Sequence, residues 1–318
     1  MNFLTDRILI TGGTGLVGES ITNRLKKLGC NVVSCGNTRG AVKYNLLDCY
    51  ETKSMFDDVN PKIVIHLAAR VGGIYANMTK KSSFYLENTL INTNVMKEVQ
   101  ERKIGYVIAM GTGCAYPKKL EGEILHEYHF LDGIPEPTND AYAYAKRNLL
   151  VHLEACREDY GLKYCYCIPA NLYGENDNFH PLNSHVVPAL IRKFVEAKRK
   201  KVPFVNVWGN GLAERDFLYI EDLTDAIMLF LSAEIVGVLN IATGLPVTID
   251  ELAYTIKKII EYNGNILYST NFPVGQKTRL FNTNRIQTLG WKPNHSLEEG
   301  LTKTIEWFEK TTYKKEIQ

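Results

Sequence analysis

No apolar run in this chain approaches the roughly 20 residues that a helix needs to cross a bilayer. No block of like charge stands out either. The formal net charge is only +2, from 37 Lys and Arg against 35 Asp and Glu, so nothing argues for nucleic acid or an anionic membrane surface as partner. No internal repeat, linker or low-complexity stretch interrupts the chain, and only the residues after about Tyr313 read as frayed. Met1 to Arg7 leads into a strand without the apolar core of a signal peptide. Cysteines number seven, odd and irregularly spaced, which argues against a disulfide framework. Free thiols in a reducing compartment are expected instead, hence a cytoplasmic protein. Cys165-x-Cys167 falls in an expected strand, with the two thiols read as pointing to opposite faces, so no zinc or other metal site is expected.

What is present is an ordinary globular composition, 45% hydrophobic and 23% charged over 318 residues, with room for two domains. Apolar strand patterns alternate with amphipathic helical ones. Strands are predicted at Arg7 to Thr11, Asn31 to Cys35, Lys62 to Leu67, Tyr106 to Met110 and Tyr164 to Pro169. Helices are predicted from the glycine loop to about Leu28, from Ser82 to Arg102 and from Asp140 to Tyr160. That alternation is the pattern of an α/β fold, a doubly wound parallel sheet of Rossmann type. After Asn171 the character changes. Loops rich in Gly, Asn and Pro precede a helix over Val186 to Lys200, then strands at Asp216 to Ile220 and Val238 to Ala242, the latter able to rejoin the sheet. A helix from Asp222, further helices from Ile249 and Ser296, and a strand at Ile266 to Ser269 complete the pattern. Residues 1–171, joined by about 217–243, are expected to form a dinucleotide-binding domain. Residues 172–216 and 244–318 are expected to form a smaller C-terminal substrate lobe.

Two local patterns carry chemistry. In Gly12-Gly13-Thr14-Gly15-Leu16-Val17-Gly18, placed between a strand and a helix, the glycines permit a tight turn, backbone approach to a pyrophosphate and close helix–sheet packing. The second strand then ends in Cys35-Gly36-Asn37-Thr38-Arg39, without the acid that would hold a ribose 2′-hydroxyl. Arg39, beside Thr38, could pair with a 2′-phosphate, which favours NADP(H) over NAD. The second pattern is Tyr142-x-x-x-Lys146, one helical turn apart. A phenol ordinarily loses its proton near pH 10, and a lysine ammonium one turn away is expected to lower that value. Reaching neutrality would take roughly 4 kcal/mol, at about 1.36 kcal/mol per unit, so a bound cationic nicotinamide would have to help. Tyr144 points elsewhere, and His66 reads as a packed strand residue.

Glycine loop, Tyr142-x-x-x-Lys146 and chain order together resemble the extended short-chain dehydrogenase/reductases. Within them, three further stretches narrow the likeness: Val71-Gly72-Gly73-Ile74-Tyr75-Ala76-Asn77, Glu136-Pro137-Thr138-Asn139, and Asn171-Leu172-Tyr173-Gly174 with Asp177 through Leu190. These resemble the GDP-L-fucose synthases, NADPH-dependent 3,5-epimerase/4-reductases of a GDP-4-keto-6-deoxy sugar, over nearly the whole chain. The resemblance implies that Thr112 takes the place of the hydroxyl residue beside the reactive carbonyl. It implies that Cys114 and His185 are the epimerisation pair and that Tyr142 and Lys146 serve reduction. Pro169, Ala170, Asn171, Leu172 and His185 would border the nicotinamide, with Ala68 near the cofactor. Asn171, Lys193, Trp208, Arg215, Arg279 and Asn282 would meet the nucleotide sugar. A homodimer through the helices from Ser82 and from Asp140 is also implied.

The chemistry fits those residue types. A 4-ketone acidifies the C3 and C5 hydrogens, because either carbanion delocalises onto the carbonyl oxygen. Thr112 and Tyr142 can hydrogen-bond that oxygen, Cys114 can remove a proton and His185 can return one. Some positions depart from the family pattern. Gly113 stands where a second Ser is usual, Lys193 stands where Arg is usual, the family has an Asp near Asn282, and Val274-Gly275-Gln276-Lys277-Thr278 differs from the usual Asp-Gly-Thr-Pro. All concern the substrate half, which leaves open a C4-reductase without epimerisation or an enzyme acting on a GDP-4-keto-6-deoxy-heptose. A 4,6-dehydratase would carry an acid pair where Gly113 and Cys114 stand.

Overall fold

The computed structural model describes residues 2–36, 42–181, 184–270 and 276–313. Among them, seven strands form one wholly parallel sheet: β1 (Ile8–Thr11), β2 (Val32–Gly36), β3 (Val42–Lys43), β4 (Ile63–His66), β5 (Tyr106–Met110), β6 (Lys163–Pro169) and β7 (Gly237–Ile241). Their order across the sheet is β7-β6-β5-β4-β1-β2-β3, so the winding reverses between β1 and β4. A ligand crevice belongs outside the carboxyl ends of the strands at such a reversal. β1 is covered on both faces, which is why its residues read as an unbroken apolar run; Ile8, Leu9 and Ile10 are fully buried. Each such side chain stabilises the fold by roughly 1.5–3 kcal/mol relative to exposure.

Helices α1 (Leu16–Lys27), α2 (Cys49–Val59), α3 (Ile74–Thr79), α4 (Lys81–Glu101) and α5 (Asp140–Tyr160) follow in chain order. α5 begins and ends where its periodicity does. It closes on Gly161 at φ 76°, and Leu149, Leu150, Leu153 and Cys156 are buried on the expected face. α2 escaped the sequence pattern although its start is marked: the Asp48 carboxylate accepts from the Tyr50 and Glu51 amides. The remaining helices are α6 (Val186–Lys200), α7 (Ile220–Ala233), α8 (Ile249–Ile260), α9 (Asn284–Thr288) and α10 (Leu297–Tyr313).

Two expectations need correction. The strand expected at Asp216 to Ile220 is found at Phe217–Tyr219, with Ile220 already in α7 and a separate short strand before Asp216. Glu214–Arg215 pairs with Val247–Thr248, while Phe217–Tyr219 pairs with Asn171–Tyr173. Between them the Asp216 carboxylate accepts from the Thr243 and Gly244 amides and the Thr243 hydroxyl, bending the chain from one pairing to the other. Cys165 and Cys167 do not point to opposite faces. Strand side chains alternate with period two, so residues i and i+2 share a face, and the two sulfurs lie 3.9 Å apart. Both are buried, and among the described residues no cluster of three metal-ligating side chains exists.

Candidate active site

A cleft of about 1090 Å³ runs along the carboxyl ends of the strands, from the glycine loop to the segment around Trp208 and Arg215. At the loop, each glycine has its own reason. Gly12 has φ +69°, and a Cβ there would sit 2.7 Å from the Ala68 nitrogen. A Cβ on Gly18 would lie 2.3 Å from the Gly12 carbonyl oxygen, so α1 could not approach the turn. Gly15 meets only an ordinary 3.6 Å contact; it is the N-cap of α1 and provides no side-chain cap. That leaves the first amides of α1 for an anion. Gly12, Thr14, Gly15, Leu16, Val17 and Gly18 line the cleft, whereas Gly13 faces Ser34 of β2. Ala68, Pro169, Ala170, Asn171 and Leu172 line it as expected. Thr38 and Arg39 lie outside the described residues.

Thr112, Cys114, Tyr142, Lys146 and His185, which come from three separate segments, also converge on this cleft. Thr112 caps the turn Gly113–Ala115, its hydroxyl accepting from the Cys114 amide at 3.3 Å. Lys146 is 2% exposed and donates to the Met110 carbonyl at 2.8 Å, its nitrogen 5.9 Å from the centre of the Tyr142 ring. Burial holds Lys146 down to about 8. The expected lowering of the Tyr142 proton affinity is not what the structure shows. Burial, aided by Cys114, pushes the phenol up. The ammonium is aimed at a carbonyl rather than at the phenol oxygen, so desolvation wins. A firmly held proton suits a tyrosine that donates to a developing alkoxide.

Below the site, His66 is fully buried. Its Nδ1 lies 2.8 Å from the Thr11 hydroxyl and its Nε2 3.1 Å from Asn92 Oδ1, while Asn92 Nδ2 donates to the Ala145 carbonyl at 3.0 Å. The Thr11 oxygen already accepts from the Leu67 and Ala68 amides, so its single hydrogen goes to Nδ1. Nε2 therefore carries the imidazole hydrogen. Burial and the nearby Lys146 charge bring His66 down to about 4. His66 is thus a neutral link between the glycine-loop strand and the helix of Tyr142, not a catalyst.

On the substrate side, Lys193 donates to the Asn206 carbonyl at 2.9 Å and lies 5.1 Å from the centre of the Trp208 ring. Arg215 donates to the carbonyls of Glu214 and Gln276, both at 2.6 Å; burial first, then Arg279, holds it down to about 10. Arg279 is 7% exposed and reaches the Cys114 sulfur at 3.6 Å. Asn282 is not brought to the cleft. Its Oδ1 accepts from the Asn284 amide and its carbonyl from Asn240 Nδ2, so it supports the start of α9. Two residues were missed from sequence. Asp177 lines the cleft with one carboxylate oxygen buried and unpartnered; burial raises its carboxyl and the His185 charge draws it back. Arg147 holds the Cys114 turn to α5, and its signal was legible: a charged residue inside the buried stripe of Ala143 and Leu150.

The NAD dependent epimerase/dehydratase family matches residues 8–242. The chain belongs to that family. The match starts at the first residue of β1 and ends one residue past β7, so the epimerase/dehydratase pattern covers all seven strands of the sheet. Over 312 residues the chain is 36% identical to GDP-L-fucose synthase of Escherichia coli (strain K12), covering 95% of this chain and 96% of that one. It is 32% identical over 308 residues to GDP-L-colitose synthase of Yersinia pseudotuberculosis, covering 95% and 97%. A solved gdp-l-fucose synthetase from Naegleria fowleri, bound to NADP, matches with a TM-score of 0.85 at 29% identity, over 97% of this chain and 94% of that one. Arg279 lies beyond the residues that the family model matches.

Proposed function

We propose that this protein carries out NADPH-dependent 3,5-epimerisation and 4-reduction of a GDP-4-keto-6-deoxy sugar, as a GDP-L-fucose synthase. The observation that carries the reading is the meeting of Thr112, Tyr142 and Lys146 with Cys114 and His185 on one cleft. The first three are the equipment of a carbonyl reductase; the other two are a base and an acid that reduction alone does not need. The glycine cradle of Gly12, Gly15 and Gly18 fits a dinucleotide, since side chains at Gly12 and Gly18 would collide with backbone. When bound there, NADP(H) supplies the hydride for C4. The support for NADP over NAD is the Arg39 charge and the NADP in the Naegleria fowleri relative.

Mechanistically, the Thr112 hydroxyl and the Tyr142 phenol hold the C4 oxygen, and negative charge develops there as a C3 or C5 proton leaves. Cys114 takes that proton and His185 returns one from the other face. In the reductive step Tyr142 donates its proton to the C4 oxygen, with Lys146 beside it to favour the phenolate left behind. Arg215, Lys193 and Trp208 are proposed to hold the nucleotide end.

The two-part division at 1–171 with about 217–243, and 172–216 with 244–318, is proposed to separate cofactor from sugar binding. A cytoplasmic homodimer is proposed as well. Support comes from α4 and α5, which pack together and expose Tyr85, Leu86, Leu90 and Val151. No helix among the described residues is long and apolar enough to cross a membrane.

The deciding experiment incubates the protein with GDP-4-keto-6-deoxymannose and NADPH in D₂O. NADPH oxidation with two carbon-bound deuterons, read by mass spectrometry, is expected. Oxidation without deuterium at C3 and C5 would leave a plain 4-keto reductase.

A further inference from the structure

Arg279 holds a buried positive charge, and among the described residues no carboxylate lies within ion-pair distance of it. A guanidinium removed from water in that way needs an anion nearby. Three of its five N–H groups are placed on neighbouring side chains. Nε and Nη2 donate to the Gln276 side-chain oxygen at 3.3 and 2.8 Å, and Nη1 donates to Cys114 Sγ at 3.6 Å. Gln276 is itself buried, so the fork is fixed with one arm on the sulfur.

The backbone makes the same approach possible. A Cβ on Gly113 would lie 2.5 Å from Phe281 Cζ and 3.4 Å from Arg279 Cδ. A serine there would push the short strand Leu280–Phe281 away and carry Arg279 off the Cys114 turn. The substitution that departs from the family resemblance is therefore the one that lets the guanidinium close on the thiol. Arg215 adds a second positive charge, repelled by Arg279 and attracted first to Cys114 and then to Glu121. Two neighbouring guanidiniums, Arg279 buried and Arg215 half-buried, are tolerable when a negative centre lies with them. Among the described residues none of the buried thiols of Cys30, Cys35, Cys156 and Cys167 has a guanidinium on its sulfur.

We infer that Arg279 is the fixed counter-ion of the Cys114 thiolate, and so belongs to the proton-abstracting half of the site rather than to the diphosphate. This rests on the epimerase reading of the cleft. In the step, the thiolate takes the C3 or C5 proton to become S–H, the C–H electron pair moves into the C4–O enolate, and no electrons leave the pair of reactants. Arg279 lowers the cost of the thiolate before the step and stays in place while the S–H gives its proton to solvent water and the thiolate is restored.

The test is peptide-mapped alkylation of the full chain by iodoacetamide over pH 5–9, without sugar or cofactor. The exposed Cys49 serves as internal reference. Among the described residues, the charged groups facing Cys114 are Arg279 and Arg215 of Glu214–Arg215, and the titratable one is the protonated Tyr142 of α5. Wild-type Cys114 is expected to reach full reactivity at lower pH than Cys49. Arg279→Gln is expected to move that midpoint to higher pH and slow alkylation at pH 7 by about tenfold or more. Arg279→Lys should restore part of the rate. With substrate, deuterium exchange at C3 and C5 should fall by a similar factor in Arg279→Gln. Wild-type Cys114 reacting no earlier than Cys49 would overturn the inference, and needs no variant to fold. So would an unchanged midpoint in Arg279→Gln with a raised KM for the GDP sugar, the signature of a diphosphate contact. Because no sugar is used in the alkylation, its outcome stands apart from that of the substrate reading.

Discussion

The guanidinium of Arg147 donates twice to the Ala115 carbonyl, from Nε at 2.9 Å and from Nη2 at 2.6 Å. It also donates to the carbonyls of Asp132 and Gly133, both at 2.7 Å. Through these bonds the helix of Tyr142 and Lys146 and the turn of Thr112 and Cys114 are held in one register. Removing the guanidinium strands the buried Ala115 carbonyl, which loses both of its bonds to Arg147. Arg147→Leu should therefore cost roughly 3 kcal/mol in urea denaturation. Both deuterium exchange and NADPH oxidation should fall together; loss of only one would mean that the bonds position one partner alone.

The two half-reactions should separate at Cys114 and Tyr142. Cys114→Ser keeps the size but puts a hydroxyl that hardly ionises at neutral pH in place of the thiol. Exchange at C3 and C5 should drop by about 10²-fold or more, while a ketone that needs no epimerisation is still reduced. Tyr142→Phe should do the reverse, allowing exchange and stalling NADPH oxidation. Wild-type exchange in Cys114→Ser would remove the thiol from the mechanism.

Lys146 exchanges stability for reactivity. Its folded value of about 8 lies below the ordinary 10.5. Between those pH values the unfolded chain holds a proton that the folded chain has released, so stability rises with pH through that window; at pH 7 the buried charge costs about 3 kcal/mol. Lys146→Met should remove the slope above pH 8 and raise the melting temperature at pH 7, while NADPH oxidation falls by about 10²-fold. A lower melting temperature would show that the bond to Met110 outweighs burial of the ammonium.

For His66 the folded value is about 4 against an ordinary 6.5. The unfolded chain therefore takes up a proton first as pH falls from 6.5 towards 4. The stability from this group is complete above pH 6.5 and is lost through that window, by about 3 kcal/mol in all. Urea denaturation at pH 7, 5.5 and 4.5 should show a steeper loss in wild type than in His66→Gln. Equal slopes would place the acid sensitivity elsewhere.

Local patterns made most of the framework readable. The apolar run of β1, the glycine loop after it and the stripe that defines Asp140–Tyr160 are properties of neighbouring residues, so period and spacing expose them. The convergence of Thr112, Cys114, Tyr142 and His185 was reachable only because those segments resemble a known family, and the strand order, with Val42–Lys43 at its edge, came from the tertiary structure. Other features depended on contacts between segments far apart in the chain, which leave no period to read. Arg279 and Cys114 are 165 residues apart, and nothing near either announces the bond. Asn282 looked like a ligand residue until its carboxamide was seen capping Asn284. The Tyr142–Lys146 spacing was legible, but the direction in which the phenol shifts was not. Spacing gives the distance between two charges along a helix; burial, which decides their protonation here, is set by everything packed around them.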